Sequence, residues 1–220
     1  NNPANDWENM RRFFSSLSKT GIRGIKIDFM DSASQERLDF YDAVAENLAK
    51  NKLMVNFHGA NTPTGEERSW PHEMSREGIY GGEQNIWAAI GGQHYCALPF
   101  TRLVSGHADF TGGYFGHGPK LRGSSWTLQM AANIIYTSPI LHWVSNPADM
   151  EAAFPKDSPE REVVRNIPSV WEETIVLPPS AIGECAAFAR RSGNQWYIAL
   201  MNGDGRERTV SIPLNFLDKN

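Results

Sequence analysis

Apolar residues recur at helical intervals in two segments near the start of the chain and in one further along. In the first segment, residues 6–18, five apolar positions share one face of a helix, and Asp6 is placed to cap its first turn. The second segment follows Ser34, and the apolar positions of "QERLDFYDAVAENLAK" have the same period. The third, residues 127–136, is apolar enough to predict a buried helix.

Strands are predicted where short apolar runs lack the helical period. Residues 22–29 alternate apolar and polar side chains, and residues 52–60, "KLMVNFHGA", have a strand-like composition. Two further short strands are predicted over residues 77–85 and 138–146. Because these strands alternate with helices, the pattern predicts a parallel sheet, in either a doubly wound fold or a (β/α)8 barrel.

We favour the barrel because polar residues lie at the C-terminal ends of the predicted strands, at the face where barrel enzymes build their sites. These residues are Asp28, His58, Glu83, Asp109 and His142. Only about five β/α units fit into the chain before its character changes, and a complete barrel takes about 250 residues. The sequence therefore predicts a partial barrel.

Beyond Trp171 the chain consists of short β-rich runs separated by Pro, Gly and Asn turn signals, which predict a separate antiparallel module. The expected fold is thus α/β. Residues 1–171 form the later strands of a (β/α)8 TIM barrel, and residues 172–220 begin a β-sandwich-like C-terminal domain.

Composition narrows the class of ligand. The 220 residues are 40% hydrophobic, which suffices for a packed core, and the net charge is −4. No run of five or more like charges occurs, so we expect neither a nucleic-acid groove nor a membrane-surface helix. No apolar stretch reaches the about 18 residues of a membrane span. Small neutral ligands fit this composition best. Cys96 and Cys185 have neither metal nor redox spacing and are expected to be free thiols.

Polar side chains share one face of each of the first two predicted strands. Residues two apart in a strand point the same way, so Lys26 and Asp28 are expected to face the barrel interior, while Phe29 packs outward against helices. The second strand repeats the pattern with Asn56 and His58. Because buried unpaired charge is costly, this repetition predicts a polar, partly hydrated pocket. The alternative is a core ion pair between Lys26 and Asp28 beside a core histidine.

Two glutamates in "REGIYGGEQNIW", Glu77 and Glu83, are the next candidates. The glycines before Glu83 suggest that a substrate or metal approaches the backbone there, although an ordinary turn with solvated glutamates is the alternative. An Asp at one strand end and a Glu at another could supply the two carboxylates of glycoside hydrolysis. Tryptophans such as Trp87 suit the apolar faces of sugar rings. Asp109 is assigned to a mobile active-site rim over residues 105–118.

Four motifs together closely resemble glycoside hydrolase family 97, a family of α-glycosidases. They are "GIRGIKIDFMD", "LMVNFHGANTPTGEERSWPH", "MSREGIYGGEQNIW" and "ILHWVSNPADM". Family members have an N-terminal β-sandwich, a central (β/α)8 barrel and a C-terminal β domain. The resemblance implies that this chain holds the later barrel strands and part of the C-terminal domain, with a missing N-terminal portion elsewhere in the same protein. It also implies a periplasmic or outer-membrane location.

The resemblance further implies roles for individual residues. Inverting members carry a glutamate base directly after the histidine of the second motif, and Gly59 occupies that position here. Retaining α-galactosidases of the family use an aspartate nucleophile, which corresponds to Asp28, and Glu83 corresponds to the general acid/base. Glu77 and Glu83 correspond to ligands of a calcium ion. The residues expected to bind substrate are Lys26, Asn56, His58, Trp87 and Asp109.

The expected function is therefore the cleavage of terminal α-galactosides from an oligosaccharide by a retaining double displacement. Three alternatives stay open. The first is an α-glucosidase of the same family, the second an inactive or sugar-binding piece, and the third a barrel lyase in which Lys26 forms a Schiff base.

Overall fold

A computed structural model describes residues 3–116 and 121–217, without the side chains of residues 3–5. The chain forms two compact units. The first runs up to Gly78 and includes Ser105–Asp109. The second comprises Ile79–Val104 and the residues from Phe110 onward.

The first unit is a parallel three-stranded sheet with two long helices. Its elements are α1 (Pro3–Ser18), β1 (Gly24–Ile27), α2 (Gln35–Lys50), β2 (Met54–Phe57), a 3-10 turn (Glu66–Arg68) and β3 (Glu73–Arg76). The strands lie in the order β1-β2-β3 and are all parallel. Ser34 caps α2 by accepting a hydrogen bond from the backbone N–H of Arg37, as the sequence predicts. The β-α-β unit is therefore confirmed.

The core of this unit lies between the helices and the sheet. Phe14 of α1, Val44 and Leu48 of α2, and Val55 and Phe57 of β2 form one buried cluster. Each of these residues occupies an apolar position of the helical or strand pattern, so the burial of this face stabilises both helices against the sheet.

The first strand ends earlier than predicted. Ile27 is its last residue, and Phe29 has a φ of +62° and is 78% exposed, so the prediction that Phe29 packs against helices is wrong. A positive φ turns the chain out of the strand and breaks the alternation of side chains. Met30, rather than Phe29, is the buried apolar residue after the strand.

The third strand also lies outside its predicted range, at Glu73–Arg76 rather than within residues 77–85. Its sequence is "EMSR", and both ends are buried charges. Arg76 pairs with Glu73 at 2.7 Å and with Glu66 at 3.0 Å, and its guanidinium lies 4.3 Å from the centre of the Tyr41 ring. A strand buried through ion pairs has no apolar period, so the pattern of hydrophobic residues does not reveal it.

The second unit combines short helices with an antiparallel sheet. Its α-helices are α3 (Gly92–Ala97), α4 (Trp126–Ile135), α5 (Pro147–Ala153) and α6 (Pro159–Asn166), and its 3-10 helices span Gly82–Ile86, Leu98–Phe100 and Arg102–Val104. Its strands, β4 (Glu173–Val176), β5 (Cys185–Ser192) and β6 (Gln195–Asn202), pair antiparallel in that order. The helix predicted over residues 127–136 and the antiparallel module are therefore confirmed.

The strand predicted over residues 138–146 is absent from the part of the chain that the structure describes. Trp143 forms only an isolated parallel bridge with Gly112. Ser138 instead bonds through its hydroxyl to the backbone of Ile140, and Pro139 between them has no N–H to donate to a ladder.

The chain is thus a mixed α/β protein with one parallel and one antiparallel three-stranded sheet. The domain boundary between residues 171 and 172 stays a prediction. Cys96 and Cys185 are buried free thiols. Within the described ranges, no helix has both the length and the apolar character needed to cross a membrane.

Arg190 of β5 joins the antiparallel sheet to the C-terminal end of α4. Its guanidinium donates to the carbonyl oxygens of Ile134, at 2.9 Å, and Tyr136, at 3.4 Å, and its Nε donates to the hydroxyl of Thr174. The guanidinium also lies 5.3 Å from the centre of the Trp171 ring. Burial lowers the pKa of Arg190 to about 10. A buried cation at this end of the helix satisfies carbonyls that lack a partner within the helix.

We predict that Arg190→Met lowers the free energy of unfolding by about 1–3 kcal/mol, because buried carbonyl oxygens lose their donor while the apolar volume is kept. Urea titration followed by circular dichroism measures this change. Arg191→Met is the matched control, since Arg191 forms ion pairs with Glu172 and Glu173, whose side chains are exposed. Equal destabilisation by the two substitutions would contradict a capping role for Arg190.

Candidate active site

A buried carboxylate, Asp109, lies beside the carboxyl end of the parallel sheet. Ala108 forms a parallel bridge with Arg76, the last residue of β3, and the backbone N–H of Asp109 donates to the carbonyl of Arg76 at 3.3 Å. Only 1% of Asp109 is exposed. The assignment of Asp109 to a mobile rim is therefore wrong, and His117 of that predicted rim lies outside the described residues.

Three donors converge on one oxygen of this carboxylate. Asp109 Oδ2 lies 2.9 Å from Lys26 Nζ, 2.6 Å from Asn56 Nδ2 and 2.9 Å from His58 Nδ1. Lys26 and Asn56 are directly paired in the register of β1 and β2, and His58 is the first residue after β2. The sequence correctly predicts that these three polar side chains face the same side, and the polar pocket expected there stays a prediction. Lys26 pairs with Asp109, so the alternative of a core ion pair between Lys26 and Asp28 is wrong.

His58 lies between Asp109 and a second carboxylate, Glu77. Because an ionised carboxylate only accepts hydrogen bonds, the contact with Asp109 assigns the proton to Nδ1 of His58. The other ring nitrogen, Nε2, lies 3.5 Å from Glu77 Oε1. Burial by itself lowers the pKa of His58, but the hydrogen bond to Asp109 and the charge of Glu77 outweigh it and raise the pKa above its ordinary value.

Asp28 directly follows β1, and Gly59 lies beside it. The backbone N–H of Phe29 donates to Asp28 Oδ1 at 2.6 Å. Gly59 has a φ of +57°, and a Cβ atom there would lie 3.1 Å from Asp28 Oδ1 and 3.0 Å from the backbone nitrogen of Phe29. The N–H of Gly59 donates to Glu77 Oε2 at 2.6 Å. In this arrangement a side chain at position 59 would displace the Asp28 carboxylate or the backbone of Phe29 by a few tenths of an ångström.

Glu83 belongs to the second unit, on the 3-10 helix Gly82–Ile86. The two glycines before it make room for another part of the backbone. A Cβ on Gly81 would lie 2.7 Å from the carbonyl oxygen of Phe110, and one on Gly82 would lie 2.7 Å from that of Thr111. The interpretation of these glycines as a place where a ligand approaches the backbone is therefore wrong.

The end of this 3-10 helix is held by a residue that the sequence analysis missed. Arg122 donates through Nε to the carbonyl of Asn85 and through its terminal nitrogen to the carbonyl of Ile86. A single arginine in a Gly-rich segment gives no signal of such a role. Trp87, the next residue after the helix, is 65% exposed.

The structure thus assembles most of the predicted site within the first unit. Besides Asp28 and Gly59, it brings together Lys26, Asn56, His58, Glu77 and Asp109. Glu83 and Trp87 belong to the second unit, so the pairing of Glu83 with Asp28 stays a prediction.

Carboxylates, an imidazole and an ammonium group thus meet at the carboxyl end of a parallel sheet, and such a set of groups is suited to binding a polar small molecule. Two family models match the chain, "Glycoside hydrolase 97" over residues 3–79 and "Glycosyl-hydrolase 97 C-terminal, oligomerisation" over residues 170–220. Together these matches cover more than half of its length. The chain therefore belongs to glycoside hydrolase family 97.

Individual relatives agree with the family. The chain is 35% identical over 207 residues to a "Probable retaining alpha-galactosidase" of Streptomyces bingchenggensis, covering 94% of this chain and 31% of the relative. It is 30% identical over 225 residues to a "Retaining alpha-galactosidase" of Bacteroides thetaiotaomicron, covering 96% and 33%. The chain thus spans about a third of the length of these curated relatives.

A solved family 97 enzyme from Pseudoalteromonas sp. strain K8, in complex with acarbose, has a similar structure. The TM-score is 0.84 at 26% identity, and the match covers 96% of this chain and 36% of that enzyme.

We predict that Gly59→Ala destabilises the protein more than Gly193→Ala does. Both glycines have a φ of +57°, so both substitutions carry the same backbone strain, but only the new methyl group at position 59 meets neighbouring atoms. The additional loss in the free energy of unfolding is expected to be about 1 kcal/mol or more. Urea titration of both variants measures it. Equal losses would mean that Asp28 and Phe29 yield to a side chain without cost.

Proposed function

We propose that the protein is a glycoside hydrolase that releases terminal α-linked galactose with retention of configuration. Asp28 is the nucleophile and Glu83 the general acid/base. The observation that carries this proposal is the close approach of Asp28 to Gly59, which puts a carboxylate at position 28 beside a residue with no side chain at position 59.

The argument rests on the difference between the two stereochemical outcomes. A retaining enzyme needs a carboxylate that attacks the anomeric carbon, whereas an inverting enzyme needs a base that activates water. Gly59 stands where the resemblance puts the inverting glutamate, and Asp28 stands where it puts the retaining nucleophile. The names of two relatives, both retaining α-galactosidases, support the same branch.

In the first step Asp28 attacks the anomeric carbon while Glu83 donates a proton to the glycosidic oxygen, and the aglycone leaves. The resulting glycosyl ester is then hydrolysed by water, from which Glu83 takes a proton, and Asp28 is released as a carboxylate. This reaction needs the two carboxyl groups about 5–5.5 Å apart. Because the two residues belong to separate units, their separation is itself part of the proposal.

Lys26, Asn56 and His58 are proposed to bind sugar hydroxyls, and Trp87 to stack on an apolar sugar face. Asp109 already engages the ammonium group of Lys26 at 2.9 Å. An ion-paired ammonium is not a nucleophile, so the geometry does not support a Schiff-base lyase.

We propose calcium as a cofactor, with Glu77 and Glu83 as ligands. Carboxylate oxygens are the donors that calcium prefers, and six to eight oxygens are expected in a complete set. Each oxygen of a carboxylate has more than one lone pair, so the hydrogen bond from Gly59 to Glu77 leaves capacity for a cation. When bound, the ion would supply positive charge that orients substrate hydroxyls.

The parallel sheet is proposed to be part of a (β/α)8 barrel. Three consecutive strands pair in chain order, and the parallel bridge from Arg76 to Ala108 extends the first unit in the same direction. The substrate class is an oligosaccharide with a terminal α-linked hexose. The missing N-terminal portion and a periplasmic or outer-membrane location remain part of the proposal, as does self-association through the module that the C-terminal family model describes.

Azide rescue tests the nucleophile. In the complete protein, Asp28→Gly is expected to lower kcat on aryl α-galactosides by about 10³-fold or more, because no group remains to attack the anomeric carbon. Added azide should restore turnover and yield β-galactosyl azide. Asp31→Gly is the control, since Asp31 is an exposed acid three residues away with a φ of +47° that glycine adopts easily. Retained activity in Asp28→Gly would remove Asp28 as the nucleophile.

The first anomer released decides the stereochemistry. Proton NMR of early product should show α-galactose, and β-galactose as the first product would contradict a retaining mechanism. Aryl α-glucoside as a parallel substrate distinguishes the α-glucosidase alternative, and the absence of turnover on both substrates would contradict the proposed hydrolase.

A further inference from the structure

We infer that Asp109 is a positioning residue, which fixes Lys26, Asn56 and His58 in the geometry that binds the sugar without itself touching it. The inference rests on the proposed function, because it concerns the same pocket. The sequence suggests that Asp109 binds substrate directly. The inferred role is instead to hold the side chains that bind the sugar.

The burial of the four side chains supports this arrangement. Asp109 is 1% exposed, whereas the Lys26 side chain that pairs with it is 33% exposed. All three donors reach the same oxygen, Oδ2, from β1 and from the end of β2. This carboxylate is closed off from solvent, and one of its oxygens accepts from three protein donors. It therefore holds those donors in place, because each charge-assisted hydrogen bond restrains one of them.

The backbone holds Asp109 in place independently of these donors. Its N–H donates to the carbonyl of Arg76, and the preceding Ala108 forms the parallel bridge with Arg76. Arg76 is held in turn by Glu73 and Glu66. The backbone of β3 therefore fixes the position of Asp109, and Asp109 in turn restrains side chains on β1 and β2.

Asp109 also selects one form of the histidine ring. Asp109 Oδ2 lies 2.9 Å from Nδ1, whereas Glu77 Oε1 lies 3.5 Å from Nε2, so the shorter contact places the proton of neutral His58 on Nδ1, and a protonated ring would donate to both carboxylates. A carboxylate that orients a functional imidazole in this way is a recurrent device in enzymes. An amide at position 109 would lose the charge that holds Lys26 and could equally well accept or donate at Nδ1.

The histidine tautomer is the direct test. In the wild-type chain, ¹⁵N-resolved NMR above the titration range of histidine should assign the Nδ1–H tautomer to His58. Asp109→Asn should convert a measurable fraction of His58 to the Nε2–H tautomer. Asp42→Asn is the matched control, because it makes the same chemical change in the same unit at an exposed carboxylate, which accepts a hydrogen bond from the indole of Trp70. A wild-type Nε2–H tautomer would overturn the inference even if Asp109→Asn failed to fold.

Kinetics of the complete protein give the second readout. Asp109→Asn should lower kcat/KM for aryl α-galactoside by about 10- to 100-fold, the usual effect of removing a residue that orients a functional group. Most of the change should lie in KM, because the misplaced groups bind the sugar before and during reaction. Asp42→Asn should leave KM unchanged. Unaltered KM and tautomer in Asp109→Asn would overturn the inference, as would a pure loss of kcat that azide restores.

The two proposals can fail separately. If the wild-type protein hydrolyses no α-glycoside, the proposed function fails, and the tautomer measurement still decides whether Asp109 orients His58. If azide rescues Asp28→Gly while Asp109→Asn behaves as wild type, the hydrolase stands and the positioning role fails.

Discussion

The site depends on one buried negative charge and the donors that compensate it. Moving a carboxylate out of water costs several kcal/mol unless hydrogen bonds and opposite charge replace its hydration. Asp109 obtains that compensation from Lys26, Asn56 and His58, all through one oxygen. Because each of these groups would be costly to leave unpaired, the ends of the three strands are restrained together, and the pocket side of the sheet is defined before any ligand arrives.

A second set of buried charges supports the loop that follows β2. Arg76 donates to Asn61 Oδ1 and pairs with Glu66, both in this loop. The loop begins at Gly59, whose N–H is bound by Glu77, the residue directly after Arg76. The start of the loop and its middle are thus tied to adjacent residues at the end of β3. This explains how a glycine with a positive φ, free of any side chain of its own, keeps a fixed position beside Asp28.

The sequence predicts what depends on local pattern and misses what depends on distant partners. The helical period and Ser34 locate α2, and alternation correctly assigns Lys26 and Asn56 to one face. Their common partner is 53 residues from Asn56 along the chain, and no local pattern indicates it. The strand "EMSR" is missed for a different reason, since Arg76 and Glu73 are buried through ion pairs and give the strand no apolar period.

Other errors arise where a residue serves the backbone rather than a ligand. Gly81 and Gly82 suggest an approaching substrate, but they make room for the carbonyl oxygens of Phe110 and Thr111. The sequence shows that bulk is excluded at such a position without showing what takes its place. Phe29 is the converse case, because its apolar side chain predicts burial while its positive φ turns it into solvent.

The contact between positions 28 and 59 makes the choice of mechanism a question of space. The two segments run side by side, since Asp31 N–H donates to the carbonyl of Gly59 and His58 N–H donates to that of Ile27. A side chain at position 59 would begin 3.1 Å from the Asp28 carboxylate, which is too close for both groups to keep their places. A glutamate at 59 would therefore shift the Asp28 carboxylate or the backbone of Phe29, whereas glycine at 59 leaves both in place. The two positions are therefore coupled, because a side chain at 59 and the carboxylate at 28 compete for space just beyond the ends of neighbouring strands.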